Sequence, residues 1–168
     1  DEYNDSEKNI TAWNDFTIMS WKTSSRYESV DVWTVTFYIE GVDAQNLKYS
    51  IDYANLYFEW IFISKISSSD IKILSSNKVS LTFENLEDFI VPQKEVSFRL
   101  WIKAKSIWYE RIWKTIKDVR VTSVNISEAV WVNSWNNINA FTTTISVEWF
   151  SIVPWIPVVS VINDLNNS

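Results

Sequence analysis

The chain has 168 residues with 15 basic and 21 acidic side chains, a net charge of −6, and neither cysteine nor histidine. Those two absences exclude disulfides and thiolate chemistry, and they remove the commonest general base and the commonest metal ligand. The acidic balance argues against a sequence-independent grip on nucleic acid phosphates. No apolar run reaches the roughly 18 residues of a membrane span, so this segment makes no direct membrane insertion.

The chain begins at Asp1 and has its one methionine at Met19, which suggests a processed or excised piece of a larger protein. Residues 1–13 are polar and acidic and read as a leader with little structure. A β domain is expected over 14–153. Phe16 and Ile18, flanking Thr17, predict a short first strand. In Glu28 to Ile39 the apolar phase shifts between Val32 and Val35, as a bulge would make it. Leu47, Tyr49, Ile51 and Tyr53 alternate with polar residues, and Leu56, Phe58, Trp60 and Phe62 continue in the other phase. This predicts one bent strand, or two joined near Ala54 and Asn55. Ile71 and Ile73 form a short edge strand between two serine-rich turns.

The clearest strand signals lie in Lys78 to Ile126. Val79, Leu81 and Phe83 alternate with polar partners, and after Pro92 so do Val96, Phe98, Leu100, Ile102 and Ala104. That period belongs to strands with one face on a core and one in water. Val119 and Val121 then give way to Val124 and Ile126, and the slip near Ser123 predicts another bulge. An asparagine-rich loop follows over Asn133 to Asn139, and Ile145, Val147 and Trp149 mark a last core strand. Residues 154–168 read as a linker or a loose edge strand. No segment carries a helical period. About nine antiparallel strands with turn signals at short spacing predict an all-β, Ig-like sandwich of two packed sheets.

The composition has one anomaly, 11 tryptophans against a single glycine, Gly41. An average domain of this length holds roughly 12 glycines, at about 7%. Several tryptophans stand where a turn residue belongs: Trp13, Trp21, Trp135 and Trp155. Turns with φ > 0 suit glycine, and tryptophan resists them. Most of these positions are therefore expected to be glycine in the source organism, from a lineage that reads UGA as glycine.

Candidate chemistry is sparse. Trp108 to Thr115, WYERIWKT, becomes a formal match to a phosphate-cradling P-loop if its tryptophans are glycines. Such a loop must open a helix, whereas Ile116 to Ile126 alternates like a strand. Trp101 falls on the outward face of its strand, and with Trp108, Tyr109, Arg111 and Trp113 it makes a candidate ligand-binding patch of the kind that stacks sugars. The aspartates lack the spacing of a calcium loop, and paired carboxylates such as Glu84 and Glu87 carry no specific signal. No catalytic, cofactor-binding or metal-ligating residue is expected, and no cofactor.

Read with glycine at the tryptophan positions, Leu81 to Val121 becomes LTFENLEDFIVPQKEVSFRLGIKAKSIGYERIGKTIKDVRV. Its LTFxNL strand, V-P turn, lysine-rich strand and YERIG loop, with a closing FSIVP at Phe150 to Pro154, resemble a β-sandwich module. That module is found in large secreted surface proteins of uncultivated, small-genome bacteria. The resemblance implies a non-enzymatic, extracellular structural or adhesive module at the cell surface. Its implied partners are neighbouring domains of the same protein, and a glycan or another cell-surface protein. A carbohydrate-binding module using exposed aromatics is the alternative.

Overall fold

The computed structural model describes residues 8–11, 14–105 and 116–153. Among the described residues thirteen strands follow in order: β1 (Lys8–Thr11), β2 (Asp15–Thr23), β3 (Val30–Glu40), β4 (Ile51–Phe58), β5 (Ile61–Ser67), β6 (Lys72–Ser75), β7 (Lys78–Phe83), β8 (Ile90–Val91), β9 (Val96–Ala104), β10 (Ile116–Trp131), β11 (Asn137–Ile138), β12 (Phe141–Thr144) and β13 (Phe150–Val153). They form a nine-stranded sheet, whose main path is β1-β13-β10-β3-β7-β6, and a four-stranded sheet in the order β2-β9-β4-β5. The all-β, two-sheet sandwich expected from the alternation is the architecture observed. The strand number exceeds nine because short pieces of two to four residues, such as β8, β11 and β12, line the rims.

The large sheet is built on β3 and β10. Phe37 faces Leu81 of β7 on one side and Val124 of β10 on the other, and all three are buried. Phe37 also meets Phe83 edge-on, with ring centroids 5.8 Å apart, and reaches across to Phe98 of the small sheet at 6.2 Å. Phe98, Leu100 and Ile102 of β9 supply the other layer, with Ala54 and Leu56 of β4 beside them. The two inner faces thus interlock into one apolar core, as sheets packed face to face require. On the outer face of the large sheet Thr36 and Thr82 share a hydrogen bond of 2.9 Å.

Several expectations change in detail. The polar leader contributes Lys8–Thr11 as β1, which runs parallel to β13 with Thr11 opposite Val153. Leu47–Ser50 is one helical turn instead of strand, so that Leu47 and Ser50, three residues apart, both point inward. The turn falls at Glu59 and Trp60, between β4 and β5, instead of near Ala54 and Asn55. The phase slip near Ser123 is a true irregularity in the β3–β10 register, between Val121 and Ser123, and two more follow, between Ile126 and Glu128 and between Glu128 and Ala129, where Trp33 is passed over. Ile145 and Val147 do pack against the core, but 145–149 makes no ladder; β12 ends before it and β13 begins after it.

Gly41, directly after β3, is where the backbone leaves no choice. A Cβ there would lie 2.6 Å from the Asp118 carbonyl oxygen and 2.8 Å from Val119 Cγ1. Among the tryptophans, the turn assignment holds for Trp135, whose φ is 58°. It fails for Trp21, which lies inside β2 and meets Phe98 edge-on at 5.3 Å. Trp13 and Trp155 lie outside the described residues.

Candidate functional site: the open edge of the small sheet

The small sheet ends on β2, whose paired neighbour among the described residues is β9 alone. The ladder starts where Ala104 N–H donates to the Asn14 carbonyl, at 2.9 Å. Hydrogen-bonded and non-bonded pairs alternate in an antiparallel ladder. Phe16 therefore takes the next bonded position, and the backbone groups of Asp15 and Thr17 turn to the free side. Ile18 is a bulge: Thr17 faces Trp101, but Met19, not Ile18, faces Leu100. Past it the phase changes, and Ser20 and Lys22 take the free-side positions opposite Arg99 and Ser97. Burial follows the same logic, since Ile18 and Met19 are both buried while Asp15, Ser20 and Lys22 are exposed.

Beside this edge runs a groove of ≈ 700 Å³. One wall is β2 itself, from Asp15 to Ser20, with Trp101 at its side; the other is Ser146, Val147 and Glu148. The second wall is the ladder-free link between β12 and β13, held to the large sheet where Ile145 N–H donates to the Thr122 carbonyl at 3.0 Å. The groove is thus the lateral gap between the two sheets. Its charged lining residues are Asp15 and Glu148, and both are acidic.

The structure places Trp101 where the alternation put it, on the outer face of β9 between Arg99 and Lys103. The other four residues of the expected patch, Trp108, Tyr109, Arg111 and Trp113, lie outside the described residues, as does the P-loop-like stretch that contains them. Trp101's companions are instead residues of β4 and β5. Tyr57 lies 5.1 Å from its ring, Phe62 lies 5.9 Å from Tyr57, and the Arg99 guanidinium sits 4.2 Å above Trp60 and 5.6 Å from Tyr57. These side chains stack on one another across the strands, which stabilises the exposed face of an open sheet. Trp101 Nε1 and Asn55 Oδ1, on register partners, are both covered and without a hydrogen bond. Sequence reasoning missed Tyr57 and Phe62 because their neighbourhood depends on the β4–β9 register. Period-two spacing set Phe62 in phase with the buried Leu56, whereas the turn at Glu59 and Trp60 brings it opposite Tyr57 on the outer face.

Among the described residues no group of three or more His, Cys, Asp or Glu could hold a metal ion, and no helix is long and apolar enough to cross a membrane.

No family model matches the chain, and neither does any curated protein. Among solved structures it is similar to one titled "AvmM Catalyzes Macrocyclization in Alchivemycin A Biosynthesis", at 7% identity and a TM-score of 0.47, over 90% of this chain and 86% of that one. The expected extracellular structural or adhesive module, with carbohydrate binding as its alternative, is corrected on this finding. The matched structure is titled for a catalyst and not for a surface module, and a two-sheet fold hosts many functions. At that identity and score, the likeness assigns no activity to this chain.

Proposed function

We propose that this protein is a docking domain whose β2 edge receives an extended segment of another polypeptide by strand addition. The observation that carries the reading is a nine-residue strand that, among the described residues, is paired on one side and faces a groove on the other. Backbone groups at Asp15, Thr17, Ser20 and Lys22 offer the incoming chain its hydrogen bonds, and the far wall of the groove offers apolar contact at Val147. This is the physics of β-augmentation, in which the ladder supplies affinity and alternate side chains supply selectivity. Recognition of this kind needs no reacting group at the edge.

The test is a random peptide display library panned against the full chain, with hydrogen exchange on the selected complexes. Binders should slow exchange at the Asp15, Thr17 and Ser20 amides, and Thr17→Pro should weaken them at least ten-fold. Proline removes one free-side N–H yet is tolerated on an edge strand. Binders that protect a different surface, or that ignore Thr17→Pro, would overturn the reading.

The glycine reading of the tryptophan positions is likewise a proposal, and position 135 supports it at one site. There φ is 58° and the side chain is 69% exposed, so the ring contributes little packing while its Cβ opposes the backbone.

A further inference from the structure

We infer that the strand received by β2 is the β2 of a second copy, paired antiparallel about a two-fold axis between Ile18 and Met19. The inference rests on the docking reading and names its partner. A bulge on an edge strand ordinarily turns away a regular neighbour, because the spacing of free backbone groups is broken. In β2 the free-side positions are Asp15 and Thr17 before the bulge and Ser20 and Lys22 after it, so Thr17 and Ser20 stand three residues apart where a regular strand would have two. The strand that meets this spacing carries the same bulge at the same place. A second copy does.

The bulge also makes the strand symmetric by face. Reading outward from its middle, Ile18 and Met19 point in, Thr17 and Ser20 point out, Phe16 and Trp21 point in, and Asp15 and Lys22 point out. Two-fold pairing therefore sets each residue against a like or complementary one. Ile18 meets Met19 of the second copy, Thr17 meets Ser20, Phe16 meets Trp21, and Asp15 meets Lys22 of opposite charge. A self-complementary patch of this kind is what an isologous interface requires. Lys22 already lies 3.5 Å from Glu95, but both side chains are largely exposed, at 73% and 66%. So weak a pairing leaves the ammonium available to a second carboxylate. The product is one continuous sheet of eight strands with β2 and its symmetry mate at the centre.

Sedimentation of the full chain, with Asp15→Lys, Lys22→Asp and Thr17→Pro variants, tests the pairing. The wild type should sediment at twice its 19.8 kDa monomer mass in the micromolar range. Asp15→Lys sets Lys against Lys and Lys22→Asp sets Asp against Asp, so each alone should weaken dimerisation at least ten-fold. An equimolar mixture of the two should dimerise again, because both cross-pairs then carry opposite charges. Thr17→Pro should be monomeric with an unchanged circular dichroism spectrum. A wild type that stays monomeric at 1 mM, or a dimer indifferent to the charge swaps, overturns the inference. If that monomer still binds library peptides lost on Thr17→Pro, the docking reading survives without the second copy. If it binds none, both fall.

Discussion

β10 and β2 are both long, bulged strands, and they differ in what lies beside them. The sixteen residues of β10 have β3 along one side and β13, β12 and β11 in succession along the other. The nine residues of β2 have β9 on one side and the groove on the other. In β10 the bulge near Thr122 is absorbed between neighbours. In β2 the bulge is displayed, and it sets the spacing of the groups an approaching chain would meet. A strand with two neighbours reports on the fold, whereas the one described neighbour of β2 leaves the side that the proposed strand addition would use.

Substitutions sharpen that contrast. At the two-sided region, Phe37→Ala should cost about 3–5 kcal/mol in urea unfolding, since the ring is fully buried between both sheets and contacts two other rings. A loss below about 1 kcal/mol would mean the sheets do not interlock there. Gly41→Ala should cost about 1–3 kcal/mol by the same measurement, because the new methyl meets a backbone carbonyl that cannot step aside. On the inner face of β2, Trp21→Gly should cost roughly 2 kcal/mol through lost packing on Phe98. Trp135→Gly should do the opposite. Relief of a left-handed, non-glycine backbone is worth about 1–2 kcal/mol, offset by about 0.5–1 kcal/mol of added unfolded-state freedom, so thermal melting followed by circular dichroism should rise slightly. The smallest stability effect belongs to Thr17→Pro, within about 0.5 kcal/mol because proline at a half-buried, free-side position of an edge strand breaks no ladder bond, although it should abolish strand addition. If that variant melted like Phe37→Ala, β2 would be a structural strand and not a recognition edge.

The two-sheet layout was legible because alternation in Val79 to Phe83 and Val96 to Ala104 gives the buried face directly. What escaped was whatever depends on register or on very short pieces. The phase slip after Ile18 hid the rest of β2, because an interrupted period looks like the end of a strand when it is a bulge within one. Leu47 to Ser50 is a single turn of helix, too short to show its own period, and its residues happen to alternate. Around Trp101 the outward direction was readable, but the approach of Tyr57 and Phe62 was not, since nothing in one sequence says which residue of β4 lies opposite which residue of β9. The free side of β2 was invisible for the same reason. Sequence period tells a face from a face, never an edge from a centre.

The parallel pairing of β1 with β13 has a mechanical consequence. Tension applied at Lys8 and at Val153 pulls the two strands along their own axes in opposite directions, because they run the same way and are held at opposite ends. Their cross-links are then loaded together, in shear, and must rupture at once. Peeling β6 from β7, an antiparallel pair joined by the turn at Ser76 and Asn77, breaks one link at a time. The molecule is therefore stiffer when stretched from its described ends than when prised open at its rim.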